Sequence, residues 1–102
     1  MKFGLSDSQF KILLDLVIRP LQNQGAKVFI FGSRAKGNHH PFSDIDLLFQ
    51  ENPNQPIQPE LVSKILEDIE NSNLVIKVDL VNEQALAKSY RDTVLLEMKL
   101  IN

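Results

Sequence analysis

Apolar residues recur along this chain with two periods, and the changes from one to the other mark out its elements. Phe10, Leu13, Leu14, Val17 and Leu21 follow the 3.6-residue period, which predicts an amphipathic helix from Ser6 to about Gln24. Ser6 is a good N-cap and Gln9, three residues later, completes a capping box; Leu5 and Phe10 are placed for a hydrophobic staple. Pro20 interrupts the pattern. It has no N–H and disfavours α geometry at Arg19, so a kink or a second short helix is expected there. Gly25 ends the segment. Lys27-Val28-Phe29-Ile30-Phe31, rich in aromatic and β-branched residues, reads as a first strand. Gly32 stops it, Ser33 to about Lys36 can form a short helix closed by Gly37, and Asn38 to Ser43 is a loop. Asp44 to Phe49 is a second strand.

Three prolines and two asparagines between Glu51 and Pro59 demand a loop. Val62, Ile65, Leu66 and Ile69 then restore the helical period over Glu60 to about Asn71. Leu74 to Val81 alternates as a third strand, with Ile76, Val78 and Leu80 on one face and Val75, Lys77, Asp79 and Val81 on the other. From Glu83 the chain reads as helix, with Asn82 as its cap. The first two strands are joined by a loop too short for a helical crossover, so they pair antiparallel. The expected fold class is α/β (α+β): a small mixed sheet of about three strands, helices packed on one side, and an open polar face.

Composition narrows the function without naming it. A chain of 102 residues is read as one domain spanning residues 1–102. Its formal net charge of −2 argues against a broad nucleic-acid surface, so no stable direct nucleic-acid binding is expected. The absence of cysteine excludes thiolate nucleophiles and sulfur-ligated zinc, and it fits a reducing cytoplasm. The start, Met1-Lys2-Phe3-Gly4-Leu5, turns polar at once and is not read as a secretory leader. No apolar run approaches the ~20 residues that span a bilayer.

Chemistry concentrates in one stretch. Gly32 and Ser33 sit at a turn after an apolar strand, and ten residues later come Asp44 and Asp46, two apart. On a strand both carboxylates point to one side. Their like charges repel unless a cation lies between them, and Mg²⁺ is the natural one: hard, oxygen-seeking and shared with phosphates. The bland alternative is a solvated strand edge whose acids discourage aggregation. Glycine lets a backbone approach a ligand, and successive amides at such a turn can cradle phosphate; a plain strand-ending turn would explain Gly32 well and Ser33 indifferently. Asp79 is a third candidate acid, costly mid-strand without a partner, with Lys77 on its own face as the ordinary counter-ion. Arg34 and Lys36 could meet a triphosphate or merely hydrate the surface. His39 and His40 read as loop polarity rather than zinc ligands, and Tyr90 as packing or interface.

Phe31-Gly32-Ser33-Arg34-Ala35-Lys36-Gly37 together with Ser43-Asp44-Ile45-Asp46-Leu47 resembles the signature of the DNA polymerase beta-like nucleotidyltransferase superfamily. Within it the chain is most similar to minimal nucleotidyltransferases, among them antitoxins encoded beside HEPN-domain ribonuclease toxins. The resemblance implies a nucleotidyltransferase fold. Gly32, Ser33 and Arg34 would bind ATP, and Asp44, Asp46 and Asp79 would hold Mg²⁺ and serve catalysis. Lys36 stands where many members have arginine. Some relatives of this type transfer AMP from ATP to a tyrosine of the partner toxin and so silence it. The expected activity is thus that of a Mg²⁺-dependent protein adenylyltransferase, with a HEPN-domain toxin as partner.

Two readings compete with it. A non-catalytic antitoxin would mask its partner by contact alone, and a tRNA- or antibiotic-modifying enzyme would need a separate substrate subunit. The last stretch, Thr93 to Ile101, holds more apolar residues than one helix face needs, which suggests an interface with a partner or a second copy. A catalytic centre further requires Asp79 to arrive beside Asp44 and Asp46.

Overall fold

The computed structural model describes residues 2–101. A capping box opens the first helix, α1 (Asp7–Leu13): the Ser6 amide donates to Gln9 Oε1 at 2.9 Å, and the Gln9 amide donates to Ser6 Oγ at 3.2 Å. The helix continues through a π-helical turn, Leu14–Ile18, into α2 (Arg19–Gln22), where the Arg19 amide reaches back to the Leu14 carbonyl. This is how the chain accommodates Pro20. Its ring would clash with the carbonyl four residues back in a regular α-turn, and a wider turn makes room.

Strand β1 (Lys27–Phe31) leads directly into the short helix α3 (Gly32–Lys36), closed by the left-handed Gly37. Strand β2 (Ile45–Gln50) pairs antiparallel with β1, as the short connection requires. After the proline-rich loop, helix α4 (Pro59–Glu70) buries Ile65 and Ile69 against the sheet's core face. Strand β3 (Val78–Asn82) then runs parallel to β2.

The strand is shorter at its start than the alternation from Leu74 predicts. Its ladder partner β2 begins only at Ile45, whose amide bonds to the Lys77 carbonyl at 2.9 Å, so residues 74–77 have no strand beside them. The last helix also differs. Asn82 does cap, through its side chain to the Gln84 amide, but what it caps is a 3-10 turn at Glu83–Ala85; helix α5 (Lys88–Glu97) starts afresh. A fourth strand, β4 (Lys99–Leu100), pairs antiparallel with β1 and was not expected. The sheet order is therefore β3-β2-β1-β4.

Ile45, Leu47 and Phe49 of β2 join Val28, Ile30 and the apolar face of the first helix in one core. Residues alternate across a strand, so Asp46 and Leu48 face the other way. Leu48 is nevertheless fully buried, and Val94 of α5 is nearly so; both stand outside the main core. The second face of the sheet is thus not open along its whole length, as Leu48 is covered. Of the apolar surplus near the C-terminus, Ile101 turns inward and its amide bonds to the Val28 carbonyl at 3.1 Å. Tyr90, Leu96 and Leu100 stay exposed. Among the described residues no helix is long and apolar enough to cross a membrane.

Candidate active site

The parallel ladder sets Asp46 of β2 directly opposite Asp79 of β3. Partners in register point to the same face, so the two carboxylates share one patch of the sheet. On the other side Asp46 is opposite Phe31, the residue that precedes the Gly32-Ser33 turn. One strand position therefore joins the turn to both acids.

Gly32 is required there for two reasons. Its φ is +73°, and a methyl group built on it would lie 2.5 Å from Asp46 Oδ2. The first demands a residue without a Cβ penalty, and the second keeps the carboxylate in contact with the turn itself. The short helix that follows has no side-chain cap, which leaves its first amides available to an acceptor from outside.

The electrostatics follow from the crowding of negative charge. Burial pushes the Asp46 carboxyl above its ordinary range, and the charges of Asp79 and then Asp44 push it further; Lys77 opposes them. Lys77 Nζ lies 3.6 Å from Asp79 Oδ1, with both side chains well exposed. The sheet thus holds two carboxylates face to face with one solvated lysine as counter-ion. Asp44 sits just before β2, exposed, close enough to raise Asp46 but outside the ladder. Among the described residues no three His, Asp or Glu side chains converge as a ready-made metal cage. The donor set in register is a pair of hard oxygen ligands. That set fits a divalent cation which completes its coordination with water and phosphate.

Arg34, one residue after the turn, is held by main-chain carbonyls. It is only 2% exposed, and its guanidinium faces backbone rather than the carboxylate patch. Nε donates to the Ser43 carbonyl at 3.0 Å, Nη1 to Phe3 at 2.9 Å, and Nη2 to Pro41 at 3.0 Å, with a longer contact to His40 at 3.5 Å. Lys36 is bound to Glu97 of α5 at 3.5 Å. The histidines also separate: His40 is exposed, whereas the His39 ring packs on Gly4, and its Nδ1 is buried without a partner. Lys77 stands where the alternation of the third strand puts it, on the face of Asp79 as its counter-ion.

The chain belongs to the nucleotidyltransferase domain family, whose model matches residues 11–101, within the DNA polymerase beta-like superfamily. Among solved structures it is similar to a protein described as a minimal nucleotidyltransferase, at 27% identity and a TM-score of 0.67, over 93% of this chain and 95% of that one. It shares its fold with a toxin-antitoxin structure containing AMP-PNP, at 21% identity and a TM-score of 0.64, over 86% of this chain and 71% of that one. No curated protein matches.

Proposed function

We propose that this protein transfers AMP from ATP to a hydroxyl of a partner protein, a tyrosine of a HEPN-domain toxin, and so acts as its antitoxin. The observation that carries the reading is the register of Asp46 with Asp79 beside the Gly32-Ser33 turn. The likeness to a toxin-antitoxin structure containing AMP-PNP supports the nucleotide and the kind of partner.

The chain's own residues divide the work. The amides of Gly32 and Ser33, with the Ser33 hydroxyl, hold phosphate oxygens of ATP. Asp46 and Asp79 would hold Mg²⁺, with Asp44 at the rim; the ion, when bound, supplies charge neutralisation at the triphosphate. Asp79 takes the proton of the acceptor hydroxyl as its oxygen forms a bond to the α-phosphorus. The bond from that phosphorus to the bridging oxygen breaks, and pyrophosphate leaves with the electron pair. The product is an AMP ester of the acceptor. Held in line, the reactants gain most of their advantage from orientation.

A second reading is favoured by the exposed Leu96 and Leu100: contact alone could mask the partner, without catalysis. Either a toxin or a second copy of the chain could cover that surface. The two readings part on ATP. Co-purified with its partner and given ATP and Mg²⁺, the wild type adds one or more AMP masses to the partner. The Asp46→Asn, Asp79→Asn double variant adds none. A partner that stays bound and never gains mass selects masking.

A further inference from the structure

Arg34 is the one buried charged or polar residue among those described, and it is committed to main-chain carbonyls from two separate segments. Phe3 lies 31 residues before it in sequence; His40, Pro41 and Ser43 form the loop that delivers the chain to Asp44. The residue itself belongs to α3, one position after Ser33. Its side chain therefore ties the phosphate-side helix to the loop preceding the acids, and ties both to the N-terminal turn.

The N-terminal turn is shaped for this. The Leu5 amide closes it on the Lys2 carbonyl at 2.9 Å, with φ of +53° at Phe3 and +74° at Gly4. A bulky aromatic residue in the left-handed region is strained and persists only where its surroundings hold it. Arg34 holds the Phe3 carbonyl, and the His39 ring packs so closely on Gly4 that an added methyl would collide with its Nε2. On the loop, the His40 amide also donates to Ser43 Oγ at 2.7 Å. A planar guanidinium with five donors suits several carbonyls at fixed angles, which an ammonium does not.

We propose that Arg34 is a positioning residue: by clamping the loop and the N-terminal turn to α3 it sets the place of Asp44, which lies outside the ladder that fixes Asp46 beside the Gly32-Ser33 turn, and it does not contact nucleotide. This rests on the nucleotidyl-transfer reading above. Displacement of reacting groups by about 1 Å can cost on the order of 10²-fold in rate, so a loosened clamp acts on turnover although the residue touches no substrate.

Arg34→Lys, Gly4→Ala and the double variant test it, with hydrogen exchange, Mg²⁺-ATP, ADP and AMP binding, and AMP transfer to the partner as readouts. Arg34→Lys keeps the charge and loses the fork. We expect a cooperative fold, faster exchange at residues 40–45, and a fall in kcat on the order of 10²-fold. Gly4→Ala, on a turn with no place in the nucleotide site, should act in the same direction, and the double variant should lose less than the two losses combined. Unchanged exchange over residues 40–45 would overturn the clamp. So would independent losses, or a loss confined to affinity that grows from AMP to ADP to ATP, since that is a guanidinium reading phosphates. If the wild type binds no Mg²⁺-ATP and transfers no AMP, the nucleotidyl-transfer reading fails instead, and the exchange measurement alone still decides whether Arg34 holds the loop.

Discussion

Asp46 and Asp79 are opposite one another in the parallel β2–β3 ladder, and burial together with the neighbouring charges makes Asp46 hard to ionise. A carboxyl whose pKa is raised on folding binds its proton more tightly in the native state than in the unfolded one. Stability therefore falls as pH rises, from about the ordinary value of 3.8 up through the raised one. In chelator-treated protein, the stability of Asp46→Asn relative to wild type should improve across that window and level off above it. Denaturant melts of both proteins at a series of pH values measure the difference. A difference independent of pH would mean that Asp46 is not crowded by its neighbours.

Mg²⁺-ATP should relieve the same repulsion. A ligand that binds only the native state at a hundredfold excess over its Kd adds about 2.7 kcal/mol, and each kcal/mol moves the Tm of a chain this size by roughly 4–8 °C. Wild type should show such a rise with Mg²⁺-ATP and lose it with EDTA. Asp79→Asn should show little of it. An equal rise in the variant would remove Asp79 from the site.

The part of this site carried by β1, α3 and β2 was legible in the sequence because its spacing is local. An apolar strand, a glycine, a short helix and an antiparallel return leave few alternatives, and the Asp46 face follows from the period of two. Asp79 was not legible in the same way. Its place depends on β3 crossing to lie parallel beside β2, and on a register that no local pattern encodes. Arg34 is ambiguous for a related reason: an arginine beside a glycine-serine turn has the chemistry of a ligand, and only tertiary contact shows its guanidinium bonded to carbonyls. The C-terminal surplus of apolar residues was half informative, since Ile101 serves the fold and Leu96 does not.

That division can be measured. Ile101 is buried and its amide extends the pairing along β1, so Ile101→Ala should cost about 2–5 kcal/mol, as large-to-small core substitutions do. Leu96 is 88% exposed, and Leu96→Ser should stay within about 0.5 kcal/mol of wild type. Urea unfolding of the isolated protein compares the two. If Leu96→Ser is then the variant that weakens co-purification with the partner, the exposed end of α5 is the contact surface. Unimpaired capture would direct the search to other faces.

Gly32 offers the sharpest separation of backbone strain from contact with the carboxylate face. At φ +73° an alanine is strained by about 1–3 kcal/mol wherever its methyl points. Its methyl would also meet Asp46 Oδ2 at 2.5 Å, while the Asp46 Cβ lies at an ordinary 3.5 Å. Asp46→Ala should therefore remove the collision and leave the strain. Gly32→Ala should cost more in the wild-type background than in Asp46→Ala, with an interaction of about 0.5–3 kcal/mol. A thermodynamic cycle over the four proteins gives that term. Additive effects would mean that Asp46 does not rest against the turn, and the close approach of acid to the proposed phosphate-holding turn would fall with it.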